Sequence, residues 1–221
     1  MLGVKTGKAV PLTEETESDD PLHQRVGEQD DDGQVHARGH PQGEGESLDP
    51  ADSQEVSGTS VSLTFAVPKD WQDLKNLDSA EKEKVAQSMG IDAARLDQQN
   101  VAFDIVYRAK EAGATGFYNN VNMAAQTQQL TSVPSKSNIE LLLAGQGATL
   151  KEYTTKQTAK GEAAVGTYTT QGGGKTAEGA VIVVPTSQPT AGAASYTTIY
   201  VSAGTADEET QITNTIIDTI H

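Results

Sequence analysis

The run Val181-Ile182-Val183-Val184 puts apolar branched side chains on both sides of an extended chain, so a strand built from it has no face suited to water. Such a strand belongs inside a sheet that is covered on both faces. Ser195–Ser202 offers it a neighbour, with Tyr196 and Tyr200 on one face and Ile199 and Val201 at the opposite parity. Two covering layers are therefore required, and the rest of the chain must supply them.

Helical signals provide candidates. Thr205-Ala206-Asp207-Glu208 reads as a capping box, and Ile212, Ile216 and Ile220 follow at four-residue spacing, which predicts a terminal helix lying on the sheet. Asp78-Ser79-Ala80-Glu81 predicts a second helix start, with Val85 and Met89 as its apolar stripe and Gly90 as its stop. Ser137-Asn138-Ile139-Glu140 predicts a short helix over Asn138–Ala144, ended by Gly145.

Period-two alternation marks further strands. Val61, Leu63, Phe65 and Val67 alternate up to Pro68. Val101, Phe103, Ile105 and Tyr107 do the same, and beyond the Gly113–Gly116 turn Phe117, Val121 and Met123 suggest a hairpin partner. Leu150–Thr158 and Ala163–Thr170 are separated by Lys160-Gly161, which is hairpin punctuation. The order contains no alternating strand–helix train, which disfavours Rossmann and TIM architectures. An α+β fold with an antiparallel sheet between helices is the expected class.

Residues 1–58 contrast with this pattern. They contain no aromatic residue and hold 14 of the 31 Asp and Glu but 4 of the 16 Lys and Arg, a net charge of −10 out of −15. A segment of that composition cannot bury enough apolar surface to offset its ordering entropy, so an acidic disordered tail or tether is expected, followed by one domain over 59–221. The negative field, with a pI near 4.5, disfavours nucleic acid and anionic lipid surfaces as partners. The absence of cysteine removes disulfides, thiolate catalysis and Cys-ligated metals. No apolar run reaches the roughly 20 residues of a membrane span.

The order from Val61-Ser62-Leu63-Thr64-Phe65-Ala66-Val67-Pro68 through Trp71 to the strand Tyr196–Ser202 and its closing helix resembles the Mog1/PsbP-like fold. Within that group it is similar to actinobacterial surface lipoproteins whose mature domains enter through a strand, Val-Pro and then Trp. The resemblance covers about Thr59 to His221 and implies an antiparallel sheet sandwiched between helices, an α/β/α sandwich. It supplies no shared catalytic residues. Such lipoproteins carry a signal peptide and a lipid-bearing cysteine, which are not found in this sequence; the acidic segment would suit a wall-spanning tether.

Candidate chemistry is sparse. His36, His40 and the nearby Asp30–Asp32 are interrupted by glycine and Pro41, which prevents a helix from aligning the two imidazoles, so no metal site is expected. Asp30-Asp31-Asp32-Gly33 lacks calcium-loop spacing. Gly172-Gly173-Gly174-Lys175-Thr176 ends like a phosphate loop, but Thr169 stands where the first glycine belongs, and a flexible turn is the reading. His221 is the one histidine beyond the tail, which removes Ser-His-Asp catalysis from the fold. Asp207 and Glu208 complement a helix dipole. No catalytic residue, cofactor or metal is therefore assigned. Trp71, Tyr107, Phe117 and Tyr118 are the candidates for an apolar ligand pocket.

The expected function is a non-enzymatic, extracytoplasmic binding or adaptor domain at a Gram-positive, actinobacterial-type cell surface. Its partner would be a protein or lipid-like ligand of the envelope, and the domain itself a monomer. The alternative is a structural or adhesive surface module without a small-molecule ligand, which would contain almost no helix. A carboxylate-based hydrolase ranks last.

Overall fold

The computed structural model describes residues 46–172, 175–187 and 192–221. The acidic segment through residue 45, with its His and Asp tracts, lies outside them, as do Gly173 and Gly174. In chain order the elements are a 3-10 turn Pro50–Asp52, β1 Ser53–Ser57, β2 Thr64–Pro68, β3 Gln72–Asp73, α1 Ser79–Ser88, α2 Ala93–Asn100, β4 Phe103–Arg108, β5 Asn120–Ala124, β6 Gln128–Leu130, α3 Lys136–Ala144, β7 Thr149–Thr158, β8 Gly161–Gly172, β9 Lys175–Pro185, β10 Ala194–Ala203 and α4 Ala206–Thr219.

The main sheet has eight strands in the order β3-β4-β5-β10-β9-β8-β7, with β6 also paired to β10, and every pairing is antiparallel. The Val181–Val184 run falls in β9, buried on both faces between β8 and β10. On one face, α4 and the separate β1–β2 hairpin enclose Phe65, Met123, Ile182, Ile199, Ile212 and Ile216. On the other, α3 covers Ala164, Val181 and Val183, while α1 and α2 cover Val106. The chain is a mixed α/β domain with its sheet between helical layers, as its sequence predicts. Among the described residues no helix is long and apolar enough to cross a membrane.

Local chemistry explains the helix starts. Asp78 accepts from the Glu81 N–H at 2.8 Å while Glu81 accepts from the Asp78 N–H at 3.3 Å, completing the α1 box. Thr205 Oγ1 accepts from the Glu208 N–H, but the Glu208 carboxylate accepts from the Thr205 hydroxyl at 3.0 Å instead of from the Thr205 N–H, so α4 begins with a cap and no reciprocal box. In α3 the cap is Ser135, two residues before the expected Ser137, because Asn138 closes the box on the Ser135 N–H. Met89, expected in the α1 stripe, is the exposed C-cap; Ala86 is buried beside Val85 instead. Val101 also points to solvent, since α2 runs to Asn100 and delays the strand to Phe103.

Ordered structure begins before the boundary drawn at residue 58. β1 pairs with β2 from Ser53↔Pro68 to Ser57↔Thr64 and buries Val56. The connecting turn is fastened by the buried Asp104, whose carboxylate accepts from Thr59 Oγ1 (2.7 Å), Ser60 N–H (2.8 Å) and Val61 N–H (2.9 Å). Gly58 is required there: a Cβ would sit 2.3 Å from the Val61 carbonyl oxygen and 2.5 Å from Asp104 Oδ2.

Candidate functional site

Cross-strand pairing places Arg108, Asn120 and Ser202 in one row of the sheet, and Val106, Asn122 and Tyr200 in the next, all on the face that α1, α2 and α3 share. These helices do not close over the whole face. α1 and α2 stand at the β4 edge and α3 at the other end, leaving a groove of about 580 Å³ over β4 and β5, within the usual range for small-molecule sites. Leu74, Leu96, Phe103, Val106 and Phe117 contribute its apolar walls. Phe103 meets Tyr200 edge-to-face at 6.5 Å between ring centroids and so bridges the two helical clusters.

A short loop forms the far rim. Gly113 donates its N–H to the Phe117 carbonyl, and Gly116, at φ 72°, turns the chain so that Phe117 and Tyr118 follow directly into the groove lining. Lys175, at the start of β9, donates its ammonium to the Gly116 carbonyl and ties this loop to the sheet.

Arg108 is the principal charged group. Its residue is 6% exposed, its Nη2 donates to Ser88 Oγ at 2.9 Å, and the guanidinium carbon lies 3.7 Å from the Tyr118 ring centroid. Burial pushes its pKa down, with Tyr118 acting in the other direction, and a guanidinium remains charged throughout the physiological range. No carboxylate among the described residues forms an ion pair with it. The Ser88 hydroxyl in turn donates to Val85 O at the end of α1, so the negative end of that helix dipole lies close by.

The four aromatic candidates separate into two pairs. Phe117 and Tyr118 line the groove together. Trp71 is buried on the opposite face of the sheet, in the α4 and β1–β2 core, and Tyr107 packs against the same core because it shares the parity of Ile105. Arg108, Leu96 and Asn122 are not among the candidates that the sequence offers, and Lys175 appears there only in the glycine-rich turn. The available signal is Arg108 itself, a charge at the parity of Val106 in a strand whose other charged residue, Asp104, is occupied by the Thr59–Val61 turn.

Two further features are informative. A second groove of about 430 Å³ runs beside α3, lined by neutral residues including Leu130, Ile139, Leu142 and Thr198. Among the described residues, no three His, Asp or Glu side chains gather as a metal site would require.

No protein-family model matches the chain, and no curated protein sequence does. Among solved structures, the crystal structure of LpqN, involved in cell envelope biogenesis of Mycobacterium tuberculosis, is similar over 76% of this chain and 88% of that one, at 14% identity and a TM-score of 0.43. That is a cell-envelope protein; at this score the likeness carries no argument about the present chain.

Proposed function

We propose that this is a Mog1/PsbP-like binding domain that takes a largely apolar small molecule into the groove between α1–α2 and the β4–β5 hairpin. The observation that carries the reading is the groove itself: five apolar side chains from β4, α2 and the adjoining loops surround a cleft over a face that is packed elsewhere. The Mog1/PsbP resemblance rests on the strand, Val-Pro and Trp entry and on the order of elements. Display outside an actinobacterial-type cell by the acidic segment rests on the same resemblance and on that segment's charge. An adhesive sandwich is disfavoured by the four α-helices among the described residues.

The test uses the full chain and the neutral fluorophore N-phenyl-1-naphthylamine. Saturable one-to-one binding is expected, weakened at least about tenfold by Phe117→Asp, which places a desolvated charge in the apolar wall. An absence of saturable binding would refute the proposal.

A further inference from the structure

The charge of the groove is opposite to that of the chain around it. The sequence holds 31 Asp and Glu against 16 Lys and Arg, yet the residues lining this groove include Arg108 and Lys175 and no carboxylate. Arg108 is also buried, and a buried guanidinium is ordinarily matched by a carboxylate. The α1 terminus beside it offers at most about half an elementary charge, so positive potential remains.

Geometry shows how that potential can be used. The guanidinium carbon lies over the Tyr118 ring and Ser88 receives an Nη2 hydrogen. A guanidinium presents its N–H groups in its own plane, an arrangement suited to the two coplanar oxygens of a carboxylate. Leu96, Val106 and Phe117 line the same groove, so a molecule with its head on Arg108 has an apolar channel for its body.

We propose that the groove binds an apolar molecule with a single carboxylate head, the head on Arg108 and the tail along Leu96, Val106 and Phe117. This rests on the groove reading above and adds the chemical class of the ligand. Lys175 lies in the same lining, but its ammonium is engaged with the Gly116 carbonyl, and it contributes by fixing the rim loop.

The experiment compares octanoate with 1-octanol and methyl octanoate, three ligands of one chain length that differ in head charge, by displacement of the neutral fluorophore from the full chain at pH 7.5. Octanoate is expected to bind on the order of tenfold tighter than either neutral ligand, since a charge-assisted pair replaces an ordinary hydrogen bond. Arg108→Gln should bring octanoate down to the affinity of the neutral ligands, a selective loss that a merely structural role for Arg108, which would weaken all three alike, would not produce. Equal affinities for the three ligands in the wild type overturn the inference while leaving the groove reading in place, and need no variant to fold. A preference for octanoate that survives in Arg108→Gln and disappears in Lys175→Gln overturns the assignment of the head to Arg108. Failure of all three ligands to displace the probe refutes the inference and the groove reading together.

Discussion

Replacing Asp104 with alanine should destabilise the domain by about 3 kcal/mol. Three donors converge on its carboxylate, and they differ in what water can do for them once it is gone. The Val61 N–H is buried, and without its acceptor at 2.9 Å it costs about 1–3 kcal/mol. Thr59 and Ser60 are exposed, so their donors can turn to water, and each lost bond contributes about 0.5–1 kcal/mol. Urea unfolding followed by the emission of Trp71 is a direct assay, because this single tryptophan is buried in the same core as Val61. The pH dependence adds a second check. Burial acts to raise the Asp104 pKa, but the bonds from Val61, Thr59 and Ser60 outweigh it and hold the carboxyl below its ordinary value. A depressed carboxyl contributes stability that is complete above the unfolded value, about 3.9, and is lost as pH falls through the folded value. The gap between wild type and Asp104→Asn should therefore narrow below about pH 4. A loss under about 1 kcal/mol for Asp104→Ala, or a gap independent of pH, would refute this account of the turn.

Glu209 should behave in the opposite sense: burial, joined by the nearby Glu178, raises its pKa against the opposing Thr213 hydroxyl and Lys151, so its contribution is complete at low pH and lost as pH rises through the folded value. Glu209→Gln is thus expected to raise the thermal midpoint at pH 7, with the gain fading near pH 4, as calorimetry at the two pH values would show. Thr205→Ala removes the acceptor for the Glu208 N–H and should cost about 1 kcal/mol, with faster amide exchange concentrated in the first turn of α4.

The residues that announce themselves in the sequence are those whose burial is local in pattern. Val181–Val184 and the Ile212, Ile216, Ile220 series encode their environments through spacing alone, and both lie where that spacing places them. α2 gives no comparable signal, because Ala93–Asn100 buries only Leu96 and Asn100 and shows no apolar stripe. β1 is equally quiet: Val56 is its one buried residue, and the strand exists through pairing with β2. The groove was half legible. Phe117 and Tyr118 attract attention as aromatics near a glycine-rich turn, but Lys175 is 58 positions beyond Phe117 and reaches the same loop through the succession β5, β10, β9. Parity alone could have separated Tyr107 from Arg108, had the covering helix α2 been visible.

The position of β10 has a consequence for synthesis. It joins β4–β5 to the β7–β8–β9 meander, pairing Val201 with Val121 on one side and Ala180 on the other, yet among the described strands it comes last in chain order. Until β10 emerges from the ribosome, the β4–β5 hairpin and the meander each present an unpaired edge, and the contact that unites them spans 80 residues. A nascent chain truncated before Ala194 should therefore remain protease-sensitive and in need of chaperone protection, and ordering of the whole sheet should wait until β10 has emerged.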